Sequence, residues 1–277
     1  MKKLLCCLTV LLLTGCSAQL GYRYADTLVE WQLDDYVALT DDQQQRVSVT
    51  IDELHLWHAQ QELPKYRPAL AELREKIAAK QLQYDDIDRT ENQLWQFWAN
   101  VQNRLLDEVA LLQDLSMAQR RELLNNLQDK IDEQREEQAE DNDSPILAQI
   151  DRVNRREERL KEWTGDVTDE QQVLIRKWVR ERPEGEFWLD YRQRWHDAFA
   201  DALLQQPPDM AALQALITEP RALRSAEHKA YTEQRTAVRH KYLWLLYESL
   251  TDAQRQKLLE QADEYLQLLD ELIADFK

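Results

Sequence analysis

The chain has 277 residues, with 35 Lys and Arg against 52 Asp and Glu, a formal net charge of −17. An acidic balance of this size disfavours nucleic acid as a partner, because phosphates demand a basic footprint. Only four glycines and seven prolines are present, against usual frequencies of about 7% and 5%, which leaves few turn formers for strands and predicts an all-α chain.

Met1 to Cys16 reads MKKLLCCLTVLLLTGC. Two lysines followed by the apolar run Leu4 to Leu13 have the layout of a bacterial export signal, so residues 1–15 are expected to be a removed signal peptide. The run has about half the roughly twenty residues that a helix needs to span a hydrocarbon layer. Its end, Leu13-Thr14-Gly15-Cys16, resembles the lipobox of bacterial lipoproteins. That resemblance implies that Cys16 is the lipidation site and the first mature residue, and that Ser17, where an inner-membrane protein would carry aspartate, directs the protein to the outer membrane, facing the periplasm. Several acyl chains would hold it there, since each buried methylene contributes about 0.8 kcal/mol. Loss of the signal also removes Cys6 and Cys7, along with Lys2 and Lys3, leaving no free thiol and a more acidic mature chain.

Downstream, three- and four-residue apolar spacing predicts helices over 24–38, 41–62, 66–82, 85–114, 117–139, 145–163, 169–181, 185–205, 209–217, 222–249 and 252–275. The second of these carries His55 and His58, with Asp52 and Glu62 a turn away, a spacing capable of holding a divalent metal. A single helix supplies too few ligands, and no H-E-x-x-H is present, so these are read as surface or rim histidines and no metal or cofactor is expected. Pro64 and Pro68 bracket the next start. In 85–114, Leu94, Trp95, Trp98, Val101, Leu105, Val109 and Leu112 share one stripe, as do Leu258, Ala262, Tyr265, Leu266, Leu269, Leu272, Ile273 and Phe276 at the end. The acidic stretch Asp132 to Ser144 is the least apolar of the mature chain and marks a midpoint boundary. Ser144-Pro145 starts a helix, Gly165 ends one and Pro207-Pro208 breaks another.

Four helix starts repeat one phrase: LTDDQ at Leu39, LSMAQ at Leu115, VTDEQ at Val167 and LTDAQ at Leu250. With Thr40, Ser116, Thr168 and Thr251 at the N-cap, Gln43, Gln119, Gln171 and Gln254 fall at the third helical position, where hydroxyl and amide can satisfy each other's backbone N–H groups. The first two starts stand 76 residues apart (115 − 39) and the last two 83 apart (250 − 167). Such spacing suggests two diverged copies of one unit, residues 16–140 and 145–277.

Paired L-T-x-x-Q boxes on a helical unit resemble the Spy/CpxP-type periplasmic chaperones. The resemblance implies two tandem helical hairpins forming an elongated or cradle-like bundle, with a concave face that shelters unfolding polypeptides without ATP. The run Leu20 to Thr40 also resembles a family of uncharacterised outer-membrane lipoproteins of this length. Of the nine tryptophans, most are expected to pack between helices. Trp178, Trp188 and Trp195, interleaved with Arg180 and Arg192, form the candidate partner-binding strip. No G-x-S-x-G, P-loop or G-x-G-x-x-G occurs, so no catalytic residue is assigned. The functional expectation is a membrane-anchored, non-enzymatic helical surface for periplasmic polypeptides, or alternatively an assembly lipoprotein with one fixed envelope partner.

Overall fold

The computed structural model describes residues 15–183 and 185–277, without the side chains of 15–18 and 140–143. The export signal before residue 15 and the side chain of Cys16 therefore lie outside the described residues. The described chain is all-helical. Twelve α-helices follow in order: α1 Gly15–Arg23, α2 Ala25–Asp34, α3 Asp41–Trp57, α4 Leu63–Ala78, α5 Tyr84–Leu105, α6 Met117–Asp143, α7 Pro145–Thr164, α8 Asp169–Glu181, α9 Phe187–Leu203, α10 Met210–Thr218, α11 Ala226–Glu248 and α12 Asp252–Asp275.

One of the expected breaks is absent. A π-helical turn, His58–Glu62, joins α3 to α4, so that Asp41 to Ala78 forms one rod. The Leu63 N–H reaches back five residues to the His58 carbonyl, and Pro64, in the first turn of α4, needs no donor of its own. The acidic stretch is itself helical, with α6 running to Asp143, and the expected break falls at Ser144. Helix α1, missed by the periodicity, begins inside the lipobox-like segment.

The two sequence halves share their core. One cluster joins Val109 and Leu124 to Phe199, Leu203, Leu213 and Leu216, and a second joins Ala59 and Leu63 to Leu268 and Leu272. Helix α12 lies antiparallel along α4: Arg67 pairs with Asp270, and Arg74, seven residues further on, pairs with Asp263, seven residues back. A third contact packs α8 on α11, where Trp178 and Tyr242 stack at 6.0 Å. Each fully buried Leu here contributes about 1.5–3 kcal/mol. The halves are consequently held together by apolar contacts that neither could make alone.

Candidate functional site

All four repeated phrases make the expected reciprocal bonds. Thr251 Oγ1 accepts from the Gln254 N–H at 3.1 Å, and Gln254 Oε1 accepts from the Thr251 N–H at 3.1 Å; Thr40, Ser116 and Thr168 do the same with Gln43, Gln119 and Gln171. The glutamines then use their remaining donors on each other. Gln43 Nε2 donates to Gln119 Oε1 at 3.2 Å, and Gln43 Oε1 accepts from Gln119 Nε2 at 2.7 Å. Gln171 and Gln254 exchange the same two bonds at 2.8 and 2.9 Å. Each clasp also closes on backbone carbonyls: Asp114 and Ala38 in the first, Ser249 and Asp166 in the second. A Gln at this position satisfies a cap with its oxygen and a partner helix with its nitrogen, which Glu could not do.

The histidines of α3 are enclosed. His58 Nδ1 lies 2.8 Å from the Tyr22 hydroxyl and Nε2 lies 3.1 Å from the Tyr66 hydroxyl, so both ring nitrogens are engaged. Burial pushes the His58 imidazole down to about 4 and Tyr66 up to about 12. Glu62, almost wholly buried, accepts from Lys65 at 2.5 Å and Asn100 at 3.1 Å. Among the described residues no group of three or more His, Cys, Asp or Glu is placed to hold a metal. This buried network ties α1 to the α3–α4 rod.

The expected tryptophan–arginine strip is divided. Trp178 is sandwiched between the Arg156 guanidinium, 4.5 Å from its ring centre, and Tyr242. Trp195 stacks on Phe199 and packs against the first core cluster, and Arg192 bonds to Gln134. Trp188 and Arg180 remain exposed. Trp178 and Trp195 are thus packing residues.

The accessible apolar surface lies instead on α5. Leu94, Trp95 and Trp98, expected to be part of a buried stripe, are 60%, 45% and 40% exposed. Beside them an open cleft of about 1090 Å³ separates the first turns of α5 from α11 and the short 3₁₀ turn Pro220–Leu223. One side carries Tyr84, Asp85, Asp88 and Arg89, and the other carries Arg221, Arg224, Lys229 and Glu233, so both sides mix the two signs of charge. The Arg221 guanidinium lies 4.1 Å over the Trp95 ring, and Glu91 bridges the floor by accepting from Arg239 and from His240 Nε2 at 2.6 Å. Burial works to raise the Glu91 carboxyl, but these bonds hold it below the ordinary carboxylate range. Sequence reasoning missed this cleft because its walls are more than 130 residues apart in the chain.

A family model described as a family of unknown function, DUF6279, matches residues 35–229. The chain belongs to the DUF6279 family. No curated protein and no solved structure matches it. The DUF6279 match takes in the whole first clasp, Thr168 and Gln171 of the second, and both walls of the cleft as far as Lys229. It ends before Thr251, Gln254 and α12. The cleft offers charged groups of both signs, with the Arg221 guanidinium laid over the Trp95 ring beside it, a lining able to bind a polar partner.

Proposed function

We propose that this protein is a non-enzymatic lipoprotein, anchored through Cys16 in the outer membrane on its periplasmic face, whose helical surface receives polypeptide. The observation that carries the reading is the exposure of Leu94, Trp95 and Trp98 along one helix, near a cleft lined by charges of both signs. Contiguous exposed large apolar side chains rimmed by charge are the usual mark of a protein-binding face. The two glutamine clasps support the likeness to LTxxQ proteins of the Spy/CpxP type, and with it an ATP-independent, chaperone-like activity. The alternative is an assembly lipoprotein that docks one fixed envelope protein on the same face.

A photo-crosslinking residue replacing Trp98 in intact cells separates these readings. A broad smear of adducts supports the chaperone-like form, and one dominant adduct supports the assembly form. Crosslinking at Trp98 no stronger than at the exposed Glu133 overturns both.

A further inference from the structure

We infer that the exposed face of Leu20, Tyr24, Leu28 and Trp31 lies in the membrane interface, so that the anchored protein rests on the bilayer in one orientation. The inference rests on the lipid-anchor reading of Cys16 and deepens it by naming the surface that meets the lipid. These four side chains are 54%, 61%, 36% and 66% exposed. They stand four, four and three residues apart, which places them on one side of a helix. Helical bonding continues across the α1–α2 joint, where the Tyr24 N–H donates to the Leu20 carbonyl at 3.1 Å and the Leu28 N–H to the Tyr24 carbonyl at 3.0 Å. Tyr24 itself departs from helical geometry, with φ −107° and ψ 21°, but these bonds keep the two short helices joined end to end.

Position 16 stands one turn before Leu20 in the same register. A lipid on that residue would tether the start of the row at the bilayer. Tyr and Trp rings are favoured at the headgroup level, where an apolar body and a polar edge are both satisfied. Arg23, Asp26 and Glu30 fall outside the row in helical register.

The opposite side of α1 is fastened to the body, which makes the anchor a rigid mount. Tyr22 packs into the second core cluster, meets Phe276 edge-on at 5.9 Å and bonds to His58. Arg23 pairs with Asp275 at 2.6 Å. A membrane attached at residue 16 thus sets the tilt of α12 and the α3–α4 rod as well.

The test uses the full-length protein, processed in cells and reconstituted into phosphatidylethanolamine and phosphatidylglycerol vesicles. Tyr24→Cys, Trp31→Cys and Val29→Cys, all at exposed positions, each carry an environment-sensitive fluorophore; Val29 points to the far side of the helix by register. Nitroxide lipids should quench the labels at 24 and 31 by about half, since an interfacial helix sits within ~5–10 Å of the acyl boundary, and leave the label at 29 unaffected. Labels at 24 and 31 that stay wet on a lipidated protein overturn the inference alone. Labels that are dry but unquenched mean that a second copy or another protein covers the face, and also overturn it. Absence of a lipid mass on Cys16 overturns the anchor reading itself.

Discussion

Gln171 and Gln254 lie face to face in the fold, each side-chain amide donating to the other's oxygen, at 2.8 and 2.9 Å, with both residues almost completely excluded from water. The pair joins the N-termini of α8 and α12 and closes the caps of both. Gln43 and Gln119 repeat the arrangement between α3 and α6, in a more solvated setting. The repeated phrase is a helix start that doubles as a fastener.

Gln254→Leu should therefore cost more than an ordinary cap. It takes one partner from each end of the buried Gln171 amide, which keeps only the Ser249 carbonyl and the Thr168 N–H, and it removes the capping partner of Thr251, a loss of about 1–3 kcal/mol. Thr251→Ala, which loses only the cap hydroxyl, should cost about 1 kcal/mol. Urea unfolding of the two single variants and of Gln171→Leu with Gln254→Leu checks this. The double variant should lose less than the sum of its singles, because neither amide is then left facing an apolar partner.

Acid should loosen the junction of α1 with the α3–α4 rod. Burial lowers the His58 imidazole to about 4, opposed by the Glu62 charge and reinforced by His55. The unfolded ring titrates near about 6.5, so between that value and about 4 the unfolded state binds more protons and stability falls as pH falls. The full contribution is present above about 6.5, and on the order of 2 kcal/mol is lost on descending to about 4. His58→Gln keeps a donor and an acceptor for the two tyrosines, and its melting temperature should vary less over this window than that of the wild type.

Along the α4–α12 seam, apolar and ionic contacts should separate cleanly. Leu272 is wholly buried, and Leu272→Ala should cost about 2–5 kcal/mol by leaving a cavity. Arg67→Ala removes a solvent-exposed pair with Asp270 and should produce a small loss that disappears near ~1 M salt, where screening acts over ~3 Å. Thermal melts at low and high salt distinguish the two.

Cys16→Ala should either release the protein from membranes or leave it unprocessed, as read by fractionation and mass. An unchanged variant that stays in the outer membrane would contradict the proposed location.

Much of this architecture was legible locally. The capping phrases placed four helix starts correctly, and their spacing singled out the partners whose glutamines now prove to touch. Other starts were less visible: Asp86 accepts from the Gln83 N–H, and Ser225 caps α11, in stretches that do not repeat the phrase. Periodicity also could not tell a stripe buried within the chain from one left facing outward. Leu94, Trp95 and Trp98 obey the same spacing as Leu268 and Leu272, yet the former stay 40–60% exposed while the latter are buried in a core cluster. Nor could a midpoint boundary reveal that both cores draw on both halves, because side-chain spacing fixes a face and says nothing of which distant face completes it.

The second core cluster has a bearing on how the molecule comes into being. Ala59 and Leu63 wait for Leu268 and Leu272, more than 200 positions downstream, so the rod they belong to has no proper lid until the final turns of the polypeptide arrive. Closing so wide a loop is entropically slow. The second core cluster is complete only once the C-terminal helix has been made and has returned to the rod near the start of the chain.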